Sequence, residues 1–317
     1  MKRREFLKSI VALIGLATVG CMPTKKENGR DYYHILLISD LHLPVRSKEF
    51  PDQAVQDEIW QKKQNLINNV NAWGDVDEAA LLGDLAARYG NETEYRVVDG
   101  YVGSLNFPYY AVAGNHDYMY RDEPKKSGKK KKLSLEEKKA KLEAFTKRYK
   151  LPALYYARTV ENCRLLYIAP DAFGSDVELS QEQLDWLKKE IAEHKNGPML
   201  FFCHAPLYGT LRPYNDEINT VNRTAQPAQA LSEILAEVPP GSLWISGHTH
   251  TPPTNDSFAD DSVNRVHKNL VNIHNPTIDS RNTYTNSLYI YKDHITIRTF
   301  DHNAEKWLTD LERTYTF

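Results

Sequence analysis

With 317 residues, 41% hydrophobic and 26% charged, the chain has the composition of an ordinary soluble globular protein, with length for one large domain or two small ones. A formal charge of −2 removes the basic excess that binding to phosphate backbones usually needs, so nucleic acid is not an expected partner. Three cysteines, Cys21, Cys163 and Cys203, are too few for a disulfide framework. The last two lie in apolar, strand-like runs and read as core thiols, with a bridge between Cys163 and Cys203 as the alternative.

The basic segment MKRREFLK precedes an apolar run from Ile10 to Gly20, about half of the roughly 20 residues that span a bilayer, so residues 1–21 read as an export signal. Arg3-Arg4-Glu5-Phe6-Leu7-Lys8 resembles a twin-arginine signal, a receptor-read address for the export of folded proteins. Gly20-Cys21 resembles the lipidation box of bacterial lipoproteins, with Thr18 where leucine is usual. The expectation is export across the bacterial inner membrane to the periplasm or cell envelope, with a lipid anchor at Cys21 as the membrane contact. Residues 22–30 then form a polar tether, and 31–317 a single domain.

The first apolar run of that domain, HILLISD, ends in Asp40, with His42 two residues on. Residues 52–73 carry Val55, Ile59, Leu66, Val70 and Trp73 at helical spacing, with Asp52 as cap and Gly74 as stop. The run AALL delivers Gly83-Asp84, and Val98, Tyr101, Val102 and Leu105 mark a second helix. Pro108 opens the run YYAVAGNHD, which ends in Asn115, His116 and Asp117. Strand, helix, strand, helix, strand is the rhythm of a largely parallel sheet.

Residues 118–150 interrupt that rhythm with a lysine-rich insertion. Its first part reads as a solvated loop, and Ser134 with Glu137 forms a capping box before a helix with Leu135, Leu142, Phe145 and Tyr149 on one side. The lysines are either plain surface or a basic rim that attracts an anionic substrate. Two strands around a turn at Glu161-Asn162 follow, then a helix capped by Ser180 and Gln183 and stopped at Gly197. MLFFC hands over His204; residues 205–224, with Tyr208, Arg212, Tyr214 and Arg223, form a loop long enough to be functional. After a helix around 228–238, LWIS ends in Gly247-His248-Thr249-His250, and LYIYKDHITIRTF reads as a hairpin turning at Lys292-Asp293.

Five short apolar runs therefore end in metal-type ligands, and in open α/β sheets ligands bind outside the carboxyl ends of the strands. Taken singly, an Asp-x-His pair or a Gly-Asp is most often a turn; their order and their position at strand ends carry the signal. Asp40-x-His42, Gly83-Asp84, Gly114-Asn115-His116-Asp117, His204 and Gly247-His248-x-His250 together resemble the calcineurin-like metallophosphoesterases, over roughly residues 33–300.

That resemblance implies an α/β fold, a four-layer sandwich of two mixed β-sheets flanked by helices, with two metal ions at the carboxyl edge. Asp40, His42, Asp84 and His250 would hold one metal, and Asp84, Asn115, His204 and His248 the other, with Asp84 bridging. Carboxylate, imidazole and amide donors without thiolate suit manganese, iron or zinc. A metal-bridging hydroxide would attack the phosphate ester in line. His116 would protonate the leaving oxygen or stabilise its charge, and Asp117 would orient that imidazole and keep it cationic. Ala87 stands where relatives often carry an acid, which implies altered surroundings of the ligands. Ala169-Pro170-Asp171 replaces another familiar run, and Asp171 is given no role. His34, His194, His267, His274, His294 and His302 fit no motif and read as strand or surface residues, although His274 lies where relatives place a loop near the site.

The expected function is hydrolysis of a small phosphate ester. A cyclic-nucleotide or other phosphodiesterase would carry the same ligands: a closed pocket with extra cations favours monoesters, and an open groove diesters. A non-catalytic metal- or partner-binding module is the rival of another class. A nucleic-acid binder using the lysine run would need interleaved aromatics that the run lacks.

Overall fold

The structure is a computed structural model that describes residues 29–122, 131–212 and 218–317. The export signal at 1–21, nearly all of the tether, Tyr214 and most of the lysine run lie outside the described residues. Among the described residues, no helix is long and apolar enough to cross a membrane.

In chain order, β1 (Tyr33–Ile38), α1 (Gln53–Trp73), β2 (Glu78–Leu81), α2 (Glu92–Val102), β3 (Tyr109–Ala111) and the one-turn α3 (Asn115–Tyr118) form the first half. Helix α4 (Leu135–Arg148) leads to β4 (Tyr156–Val160), β5 (Cys163–Ile168), α5 (Gln181–Glu193), β6 (Met199–Cys203), α6 (Ala228–Leu235) and β7 (Ser242–Ser246). Short α7 (Asp261–Asn264) and β8 (Arg265–His267) precede β9 (Leu270–His274), β10 (Tyr284–Ile290), β11 (His294–Asp301), β12 (Lys306–Trp307) and β13 (Arg313–Thr316).

These strands make two mixed sheets. One runs β12-β11-β10-β1-β2-β3 with β13 on β11, and the other β4-β5-β6-β7-β9-β8. β1, β2 and β3 are parallel, as are β5, β6, β7 and β9, so their carboxyl ends lie along a common edge. Both faces of β1 are buried, and its side chains alternate between two cores. Ile35 and Leu37, with Ala80 and Leu82, pack between the sheets against Leu165, Leu200, Phe202 and Ile245. Leu36 and Ile38 pack instead beneath α1, α2 and α4, with Leu66, Val98, Leu142 and Phe145. A third core joins the outer face of the second sheet to α5 and α6. The four-layer sandwich expected from the sequence is the fold observed.

Capping chemistry fixes the helix ends where the sequence puts them. Asp52 accepts a hydrogen bond from the Ala54 amide at the head of α1, and Gly74 ends it in the left-handed region at φ 70°. Ser134 and Glu137 close a capping box on α4, and Ser180 caps α5. Helix α4 is not a surface appendage, since Leu142 and Phe145 enter the core. Leu135 does not join them: it lies in the first turn, before the helix reaches the sheet, and is 48% exposed. The YYAVAGNHD run is strand only over Tyr109–Ala111, and Asn115 already begins a helical turn. Cys163 and Cys203 are buried and unbridged, at opposite ends of neighbouring strands.

Candidate metal centre

Every residue expected to ligate metal lies in a turn just past a parallel strand. Asp40 and His42 follow β1, Asp84 follows β2 and Asn115 follows β3; His204 follows β6, and His248 with His250 follow β7. The turns are sharp. Asp40, His42, Asp84, His248 and His250 all have φ between 44° and 65°, a conformation uncommon for any residue other than glycine. Two glycines allow the turns to close on one another. A Cβ on Gly83 would lie 2.6 Å from the Gly114 amide nitrogen and 2.8 Å from His204 Nδ1, and one on Gly114 would collide with Asp84.

The side chains form three overlapping clusters, each with its candidate ligand atoms within 4.8 Å of one another: Asp40, His42 and His250; His42, Asp84 and His116; and Asp84, His204 and His248. The His42 and His250 Nε2 atoms are 3.1 Å apart, and His250 Nε2 is 3.1 Å from Asp40 Oδ1. His42 Nε2 also lies 3.8 Å from Asp84 Oδ2, and His204 Nε2 lies 3.4 Å from Asp84 Oδ1. Asp84 therefore stands between the clusters, where a bridging carboxylate belongs.

Two observations show that the donor set fits metal ions. Asn115 Oδ1 is buried and has no hydrogen-bond partner among the described residues, a state that ordinarily destabilises a fold unless something else ligates the atom, and His204 Nε2 meets only Asp84 Oδ1, at 3.4 Å. The far sides of two of the imidazoles, those of His204 and His248, are also fixed by backbone carbonyls, as ligating histidines usually require. His204 Nδ1 contacts Leu82 O at 2.8 Å, and His248 Nε2 contacts Asn222 O at 2.8 Å, leaving Nδ1 of His248 for the site. Burial pulls His42 well below its ordinary range and His248 down to about 4, which keeps both neutral and able to donate a lone pair. For Asp84, burial alone would favour the protonated form, but the neighbouring His204 and His116 hold it well below the carboxylate range.

A model of the family described as Calcineurin-like phosphoesterase matches residues 33–252, more than half of the chain. The chain belongs to this family. A purple acid phosphatase, PPD1, from yellow lupin seeds shares the fold with TM-score 0.56 and 12% identity, covering 90% of this chain and 54% of the lupin chain. The chain thus spans about half the length of that relative. A structure of PhoD superposes with TM-score 0.50 and 10% identity, over 88% of this chain and 72% of that one. No curated protein matches the sequence.

His116 and Asp117 depart from the arrangement expected of them. The Asp117 carboxylate does not bond the His116 imidazole; it accepts hydrogen bonds from the amides of Leu85, Ala86 and Gly114 and from the Tyr95 hydroxyl, at 2.8 to 3.4 Å. Its side chain points back beneath the helical turn, tying the Asp84 loop to the Asn115 loop. Burial and the adjacent Asp84 charge raise Asp117, and the amides offset part of that rise. His116 Nδ1 instead lies 2.9 Å from the carbonyl of Ala87, at the position where relatives often carry an acid. The His116 amide donates to Asp84 Oδ1 at 2.7 Å. His274 stands apart from the clusters, buried with Nε2 2.8 Å from Thr210 O.

Three residues the motifs did not mark lie behind the Asp40-Leu41-His42 turn. Lys63 of α1 is fully buried and donates to Leu41 O and to Asp279 Oδ1, the latter at 3.1 Å. Arg46 binds the other oxygen, Asp279 Oδ2, at 2.6 to 2.7 Å. One signal for Lys63 was present: it falls in the inward stripe Ile59, Lys63, Leu66, Ile67, Val70, where a lysine needs a buried partner.

Proposed function

We propose that this chain is a metal-dependent phosphoesterase that hydrolyses a small phosphate ester. The observation that carries the reading is the convergence of Asp40, His42, Asp84, Asn115, His204, His248 and His250 from both sheets, with Asn115 Oδ1 buried and unpaired among the described residues. Asp40, His42, Asp84 and His250 would hold one ion, and Asp84, Asn115, His204 and His248 a second. Such a pair supplies Lewis acidity toward phosphoryl oxygens and a hydroxide nucleophile near neutral pH.

In the proposed reaction the oxygen of water bonds to phosphorus, the ester P–O bond opposite it breaks, and the leaving oxygen takes up a proton. His116 is our choice for the proton donor. Its support is the Ala87 carbonyl at Nδ1, which fixes the ring, and the edge-on packing of that ring against His42 with centroids 4.8 Å apart. Asp117 acts one step removed, by holding the Asp84 and Asn115 loops together.

Export to the cell envelope with an anchor at Cys21 is part of this reading and rests on the N-terminal sequence alone. The deciding experiment is hydrolysis of a nitrophenyl monoester and the matching diester, with manganese supplied and then chelated. Metal-dependent turnover supports the reading; no turnover of either ester by protein with two ions bound would overturn it in favour of a binding module.

A further inference from the structure

Lys63, Arg46 and Asp279 place two cations on one carboxylate directly behind the turn that carries Asp40 and His42. Lys63 and Asp279 are fully buried, and the Arg46 side chain is 13% exposed. Burial pulls Lys63 down, but the Asp279 charge holds against it. By formal charge the group carries +1, with Arg46 its partly exposed member. The acid nearest in sequence, Glu49, is engaged by Arg88 at 2.5 to 2.7 Å.

Arg46 is held on its backbone as well as its side chain. Its carbonyl accepts hydrogen bonds from the amides of Glu49 and Phe50 at 3.1 and 2.9 Å. Its Nε and Nη2 bind Asp279, whereas Nη1 meets no acceptor among the described residues. The residue follows His42 by four positions. Asp279 is itself fixed to the metal-binding turn: its amide donates to Thr277 Oγ1 at 3.0 Å, and that hydroxyl donates to Asp40 O at 3.2 Å. The cation therefore lies against the turn that carries Asp40 and His42 with the Nη1 donors unspent, and a guanidinium takes phosphoryl oxygens through such donors.

Resting on the hydrolase reading above, we propose that Arg46 binds the non-bridging oxygens of a phosphate monoester dianion, with Asp279 and Lys63 as the residues that position it. A monoester carries one negative charge more than a diester at neutral pH, so an additional fixed cation favours monoesters.

The test uses the metal-loaded chain with Arg46→Met, which removes the cation, and Arg46→Lys, which keeps a charge able to pair with Asp279. Kinetics on nitrophenyl monoester and diester are measured alongside calorimetric binding of inorganic phosphate, metal content and thermal unfolding. Arg46→Met is expected to weaken phosphate binding and to lower the monoester-to-diester ratio of kcat/KM by about 10- to 100-fold, the loss of one or two charge-assisted hydrogen bonds, at unchanged metal content. Arg46→Lys is expected to recover part of both. Phosphate affinity and ester ratio equal to the parent in both variants would overturn the assignment. Should the parent turn over neither ester, the hydrolase reading fails, and phosphate affinity alone still decides Arg46: a drop in Arg46→Met upholds an anion site there, and no change refutes it.

Discussion

The Nδ1 atom of His204 lies 2.8 Å from the carbonyl of Leu82, a contact that crosses from the second sheet to the first. His248 repeats the crossing, its amide donating to Asp40 Oδ2 at 3.1 Å. Ions bound at this seam would tie the sheets together, so chelation is expected to lower the melting temperature. Saturation at about 100 times Kd contributes about 2.7 kcal/mol per site, or about 5 °C for a domain of this size. Calorimetry before chelation, after it and after manganese is restored checks this; an unchanged melting temperature would remove the metals from the stability of the fold.

His116→Ala is expected to lower kcat by about 100-fold or more, as loss of a general acid does, while keeping its metal content. Metal analysis of the purified variant beside steady-state kinetics separates the roles, and matching losses of both would make His116 a ligand.

Asp117→Asn should act on structure. An amide replaces an acceptor-only group that receives three backbone N–H bonds, so at least one donor is left facing another, at a cost of about 1–3 kcal/mol. Urea unfolding checks the loss, and metal affinity should fall with it because the Asp84 and Asn115 loops loosen. Full stability with a shifted pH–rate profile would return Asp117 to the role of partner to His116.

Two histidines away from the ligand clusters set an acid limit. Burial depresses His274 to about 4 and His302 to about 3, from an ordinary value of 6.5. Below pH 6.5 the unfolded chain takes up protons that the native chain refuses, so stability present at neutral pH is lost as pH falls toward 4. At about 1.4 kcal/mol per unit, each site contributes about 3 kcal/mol or more to that loss. His302→Gln should flatten the fall in urea midpoint between pH 6.5 and 4; an unchanged slope would show that His302 is hydrated in the native protein.

The parallel strands and the gathering of aspartates and histidines at their carboxyl ends were legible in the sequence because both rest on local signals, and the two-sheet layering came from the family resemblance. Buried parallel strands are short apolar runs, and a run that stops at an aspartate or histidine marks its own carboxyl end. What stayed hidden is made by tertiary contact. Leu82, Ala87 and Asn222 orient imidazoles through main-chain oxygens, which no side-chain pattern reveals. Proximity in sequence misassigned Asp117: adjacent residues of a helical turn point about 100° apart, so the neighbour of His116 looks away from it. The partnership of Lys63 with Asp279 spans 216 positions, and only the polar member of an apolar stripe hinted at it.

The left-handed backbone at Asp40, His42, Asp84, His248 and His250 selects residues by a second criterion. Aspartate, asparagine and histidine are the side-chain-bearing residues that most readily enter that region, and they are also donors to hard and borderline cations. Conformation and coordination thus draw on one short alphabet. A glutamate offered at these positions would meet the electronic demand and fail the stereochemical one, so the site can change its metal more easily than the spelling of its ligands.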